Sequence, residues 1–217
     1  MRDDERTEYS RAELISDAVV HVTGLAAVTA AVPVLIVLTV MLRGDAASVT
    51  GASIYGGTLI LMILCSALYN MIQRPDWSWL LRRMDHSAIY LKIAGTYTPF
   101  VLITGEGIVM AAGLWTAALV GVGLKIFSPA RFRWVALALY LGMGWVGVLA
   151  GRELLAALSW PVIILMIVGG GLYTLGVAFY LWKNLRFHNT IWHVFVLIAS
   201  LVFYAAVVVA VVSGGAV

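Results

Sequence analysis

Charge is scarce in this chain. Of 217 residues, 12% are Asp, Glu, Lys or Arg and 62% are apolar, against about 25% and 45–50% in soluble domains. That balance excludes an ordinary water-soluble fold and makes the small net charge of +3 a poor argument for a nucleic-acid partner. There is one cysteine, Cys65, so an intrachain disulfide is excluded and nothing suggests an oxidised secreted scaffold. The apolar runs lack the alternation over about 10 residues that marks barrel strands. No linker or low-complexity tract separates them, so a single domain over 18–217 is expected after an N-terminal arm, 1–17. The arm, MRDDERTEYSRAELISD, lacks the basic-then-apolar pattern of a signal peptide. The first span is expected to serve as the insertion signal.

Long apolar runs are what the chain does have. A bilayer takes about 20 residues of helix to cross, and inside it backbone groups must be satisfied internally. The chain therefore predicts an all-α integral membrane protein, a seven-helix bundle with spans at about 18–42, 51–72, 86–104, 107–127, 132–151, 160–182 and 190–213. Gly44, Gly105, Gly151 and Pro129 punctuate the junctions, as helix ends favour. Lys and Arg set the orientation. Arg2, Arg6, Arg11, Arg74, Arg82, Arg83, Lys125, Arg131, Arg133, Lys183 and Arg186 fall on one side, Arg43 and Arg152 on the other, and Lys92 within span three. The positive-inside rule then puts the N-terminus in the cytoplasm and the C-terminus outside. Trp77, Trp79, Trp134, Trp182 and Trp192 stand near span ends, where aromatic anchors belong.

Ionisable groups inside apolar runs need a reason, and here they gather on one side. His21, Asn70, Asp85, His86 and His193 all lie at cytoplasmic span ends, and with His188 every histidine of the chain falls there. Glu13, Asp17 and His21 are spaced i, i+4, i+8, on one face if the first helix starts early. They form either a relay or ligand-orienting stripe, or a capped first turn whose acids complement the helix dipole. Ser66 and Asn70, also i, i+4, serve either a site or helix–helix hydrogen bonding. Asp85 and Lys92 are seven apart, about 10.5 Å along a helix, and Thr96 continues their face. Lys92 either snorkels to the interface or turns inward and pairs. His188 and His193, five apart, do not share a face; at the metal-binding spacing i, i+4 the partner of His193 is Asn189. Gly169–Gly176, GGGLYTLG, allows close helix approach. No nucleotide cofactor is expected there, since phosphates do not belong in the bilayer core.

DHSAIYLKIAGTYTPF (Asp85–Phe100), GGGLYTLGVAFY (Gly169–Tyr180) and the motif E-x3-D-x3-H-x2-G (Glu13, Asp17, His21, Gly24) together resemble the hemolysin III family, the bacterial branch of the progestin and adipoQ receptor superfamily. The family pattern in the last motif is E-x3-N-x3-H-x2-G. The resemblance covers essentially the whole chain and implies seven helices, a cytoplasmic N-terminus and a metal site at the cytoplasmic ends. In relatives that site is built from S-x3-H in the second helix, an Asp opening the third and H-x3-H in the seventh. The three histidines hold zinc, and the Asp and Ser support a metal-bound water. The adiponectin receptors resemble lipid amide hydrolases of the ceramidase type on this basis.

This sequence keeps Ser66, Asp85 and His193, but has Asn70 and Asn189 where the family has histidine. Catalytic zinc generally takes three protein ligands and an open position, and an amide carbonyl is a poor ligand for it. The expectation is that zinc is absent or weakly held, with His188, His21 and His86 the groups able to replace a lost ligand. Lys92 stands where the family usually has an apolar residue, and is expected to supply the charge missing beside Asp85. The resemblance thus implies a multi-pass protein of the bacterial cytoplasmic membrane with membrane lipids as partners, a degenerate zinc site, and a non-hydrolytic role in lipid sensing or homeostasis. The alternatives are a metal-dependent hydrolase of a lipid amide, with Asp85 and Ser66 catalytic at a rebuilt site near His193, and a pore-forming cytolysin.

Overall fold

A computed structural model describes residues 9–72, 74–127 and 133–213. The features expected at Arg2, Arg6, Pro129 and Arg131, and the side chain of Arg133, lie outside the described part. Among the described residues all regular structure is helical: α1 (Arg11–Leu42), α2 (Ala46–Met71), α3 (Pro75–Thr104), α4 (Ile108–Phe127), α5 (Arg133–Ala150), the single turn-and-a-half α6 (Arg152–Ala156), α7 (Trp160–Leu181) and α8 (His188–Ser213). Five of them, α1, α2, α4, α7 and α8, are long and apolar enough to cross a membrane, and α5 is a shorter apolar helix.

The sequence explains where helices begin. Ser10 caps α1 in a reciprocal box with Glu13, satisfying two otherwise orphaned N–H groups. Helix α1 therefore starts at Arg11, and residues 11–17 of the expected arm belong to it. Asp45 caps α2 by accepting from Ser48 N at 2.8 Å. Pro75 sits in the first turn of α3, where its missing N–H costs nothing. Asp85 and His86 consequently lie in the third turn of α3, and the helix extends N-terminally beyond the span expected at about 86–104. Gly105 ends α3 at φ 75, the left-handed cap that glycine adopts without penalty.

Helix α3 is the centre. It packs against α2, α4, α5, α6 and α8, and every residue from Ala94 to Val101 is buried. A helix surrounded by protein need not be apolar all round, which accounts for the Thr96, Tyr97 and Thr98 run that lipid contact would penalise. Helix α2 flanks it on one side, α1 packs on α2 and α8, and α7 packs on α8. The outward faces are apolar: Val19, Val34, Leu119 and Leu149 are all more than half exposed. The inward faces carry Asp17, His21 and Lys92. Apolar outside with polar within is the arrangement a bilayer imposes.

Tyrosines tie the ring together. Tyr55 donates to the Ser200 carbonyl, Tyr204 to that of Ala31, Tyr140 to that of His86 and Tyr97 to that of Gly144, the last at 2.5 Å. Between α7 and α8 the glycine run does what its composition suggested. A Cβ at Gly169 would lie 2.6 Å from the Phe203 ring, and one at Gly176 would lie 2.9 Å from Phe195.

Candidate functional site: a polar cavity at one end of the bundle

A cavity of about 900 Å³ opens among α1, α2, α3, α5, α7 and α8. The stripe on α1 is its first wall. Asp17 and His21 follow Glu13 at helical spacing, so a helix beginning at Arg11 turns both inward; they are 6% and 4% exposed. Glu13 remains at the rim. Its carboxylate accepts from Ser10 N and Oγ at 2.9 and 2.6 Å and from Phe187 N at 2.9 Å. Phe187 holds φ at 62, costly for a residue with a Cβ, and Glu13 anchors that strained backbone at the start of α8.

Asp17 is the hub. Its Oδ1 lies 2.5 Å from His193 Nδ1, and its Oδ2 3.5 Å from His21 Nδ1. His21 Nδ1 also bonds the Asp17 carbonyl at 2.8 Å. A carbonyl can only accept, so the proton sits on His21 Nδ1, and in the neutral ring Nε2 is the acceptor, 3.0 Å from the Ser66 hydroxyl. The two imidazoles meet edge to face at 4.4 Å. One ligand atom from each of Asp17, His21 and His193 lies within 4.8 Å of the others. Asp85 lines the same cavity, with His193, Ser66 and Asp17 as its polar neighbours.

A single hydrogen bond joins the two asparagines. Asn70 donates to the Ser66 carbonyl at 2.9 Å, and Asn189 donates to Asn70 Oδ1 at 3.4 Å. The positions that hold two zinc histidines in the family thus form an amide–amide bridge, and with His193 they leave one strong ligand. That set does not fit zinc. His188 does not join the cluster: its Nε2 lies 3.4 Å from Tyr9 OH, and its buried Nδ1 has no hydrogen-bond partner among the described residues. His86 stands apart as well, its ring 6.4 Å from Tyr69 and its Nδ1 without a hydrogen-bond partner among the described residues. Of the three histidines considered as replacements, the fold brings in His21.

Lys92 departs from expectation. It is 3% exposed, so it does not snorkel, and among the described residues it makes no ion pair with Asp85. Its Nζ lies over two rings instead, 4.4 Å from the centre of Tyr173 and 4.8 Å from that of Phe203. The reason is geometric. Two helical turns separate Lys92 from Asp85, about 10.5 Å, and the small residues Gly169 and Gly170 let α7 and α8 bring aromatic rings to the nearer position.

Sequence reasoning missed the far wall of the cavity. Tyr97, Gly144, Trp145, Tyr173 and Thr174 line it beside Lys92. Trp145 Nε1 donates to Thr174 Oγ1 at 3.0 Å, and Thr174 is exposed. Tyr173 and Thr174 sit within the glycine-rich run, where spacing signals packing and nothing in the sequence announces a wall.

The family model described as "Haemolysin-III related" matches residues 12–204. Hemolysin-3 of Bacillus cereus is 38% identical over 206 residues, which cover 93% of this chain and 92% of that protein. The Hemolysin-3 homolog of Bacillus subtilis (strain 168) is 38% identical over 190 residues, 85% of this chain and 88% of its own length. With that likeness over nearly the whole chain and its apolar helices, this multi-pass membrane protein belongs to the hemolysin III family.

Proposed function

We propose that the chain crosses the bacterial cytoplasmic membrane seven times, with its N-terminus inside, and binds membrane lipid in its cavity in a sensing or homeostatic role, without the three-histidine zinc site of its family. The orientation rests on the bias of Lys and Arg. The lipid reading rests on a cavity within the bundle that joins a polar end to apolar walls. The observation that carries the loss of the family site is the Asn189–Asn70 hydrogen bond, because it joins two amides where the family has two imidazoles. Elemental analysis of detergent-purified protein tests it. Wild type is expected to hold far less than stoichiometric zinc, and an Asn70→His/Asn189→His double variant to hold close to one ion per chain. Stoichiometric zinc in wild type would overturn this reading.

One observation favours a second reading, a metal-dependent lipid amide hydrolase with a rebuilt site. Asp17, His21 and His193 supply three ligand atoms within 4.8 Å of one another, the number a catalytic zinc takes, with Asp85 and Ser66 adjacent. It requires metal in wild type that is lost in both His21→Ala and His193→Ala.

A further inference from the structure

The polar end of the bundle has a second, cationic half. Arg82 and His86 are spaced i, i+4 on α3, so they share a face, and His86 is turned about 100° from Asp85. The charged neighbours of His86 are Arg82 and Lys125 of α4, and all three side chains line the cavity. Lys125 is 5% exposed. Tyr140 of α5 donates to the His86 carbonyl at 2.8 Å and fixes that turn of α3. His86 Nδ1 is buried without a hydrogen-bond partner among the described residues. Arg83, one residue on, is engaged elsewhere: its Nε donates to the Ile126 carbonyl and its Nη1 to that of Trp79, both at 3.1 Å. Among the described residues the carboxylates lining the cavity are Glu13, Asp17 and Asp85. Glu13 holds the Phe187 N–H, Asp17 holds the two imidazoles, and Asp85 faces His193, Ser66 and Asp17. A lysine in the last turn of α4 complements the helix dipole. That dipole explains neither Arg82 nor an imidazole nitrogen buried without a partner.

We propose that Arg82, His86 and Lys125 form a binding site for a phosphate group, separate from the Asp17 cluster. Positive groups gathered on a weakly screened wall repel one another, and one anion among them offsets that cost for all three. The donor set favours phosphate over carboxylate. Arginine offers a planar fork for two oxygens, lysine a compact charge and imidazole an N–H from a third direction. A tetrahedral anion has oxygens for all of them, whereas a carboxylate is filled by the fork alone. Free phosphate and the headgroup of an anionic phospholipid share this chemistry, and the test separates them. The site stands or falls independently of the metal content and of the lipid-binding reading.

Two probes test it on the full chain. Inorganic phosphate is titrated calorimetrically against protein in phosphatidylcholine nanodiscs at constant ionic strength, and phosphatidic acid is mixed into the same nanodiscs and its enrichment on the purified protein measured. Wild type is expected to bind at least one probe saturably. Arg82→Gln and Lys125→Gln should each weaken that binding at least about tenfold, and Arg82→Lys should recover part of it. Arg83→Gln, the same charge change one residue away, should leave it intact. Arg82 is only half-buried, so its variants are expected to fold. Inorganic phosphate bound without enrichment of phosphatidic acid assigns a free phosphate as ligand, and the reverse assigns a headgroup. If neither probe binds wild type saturably the site is overturned, and that result needs no variant. Binding insensitive to Arg82 and Lys125, or weakened equally by Arg83→Gln, overturns it as well, since diffuse surface charge would then account for the binding.

Discussion

Asp17 takes the position of the family's asparagine, and the two histidines lost from the family pattern are replaced by asparagines on α2 and α8. Asp17 holds both remaining imidazoles, one through each carboxylate oxygen. Asp17→Asn keeps the shape and removes the charge, so the charge-assisted bond to His193 becomes an ordinary one; a loss of about 1–2 kcal/mol follows, read from denaturant unfolding in detergent micelles. A change indistinguishable from zero would show that the hub carries no stability. Asp45, in the connection between α1 and α2, makes a prediction with a pH sign. The Ser48 N–H holds its carboxyl below the usual range. An acid with a folded value below its unfolded one adds stability above the unfolded value and loses it as pH falls through the folded one. Thermal unfolding of wild type should thus weaken slightly below about pH 4, and Asp45→Ala should remove that increment of acid sensitivity together with the cap.

At the level of the helix, the same residue type has opposite consequences according to the face it occupies. Gly169 and Gly171 are neighbours in one run on α7. A Cβ at Gly169 meets the Phe203 ring at 2.6 Å, whereas one at Gly171 meets nothing within 4 Å. Gly169→Ala should therefore destabilise by about 1–3 kcal/mol through overpacking, while Gly171→Ala should be neutral or mildly stabilising, since alanine is the better helix former. Equal effects in a thermal-shift comparison would refute close α7–α8 packing. Glu13 works between elements. It closes the capping box of α1 and holds the strained Phe187 backbone at the head of α8, so a residue that spacing left between relay and cap also joins two helices.

Over the whole molecule, the proposed topology is testable because the sole cysteine, Cys65, is buried. Background labelling by a membrane-impermeant maleimide should be low. Glu106→Cys and Asn184→Cys place thiols at exposed positions in connections at opposite ends of the bundle. In intact cells the first should label and the second should label only after permeabilisation. The reverse pattern would invert the orientation, and labelling of both in intact cells would break the seven-span arrangement.

Much of this was legible in one dimension. Composition alone required a helical membrane protein, because a chain this apolar must satisfy its backbone internally, and the inward stripe of Asp17 and His21 followed from spacing once α1 was known to start early. The family also showed in linear motifs, since close helix contacts demand particular residues at particular steps. The partners were not legible. Spacing along α3 placed Asp85 and Lys92 on one face and suggested a pair, but which groups meet depends on what neighbouring helices insert between them, and there the rings of Tyr173 and Phe203 took the lysine. Likewise nothing local tells that Asn70 and Asn189, 119 residues apart, would bond each other, or that His21 rather than His86 or His188 would reach His193. Periodicity determines the face a side chain points from; only the packing of other helices against that face decides what it touches.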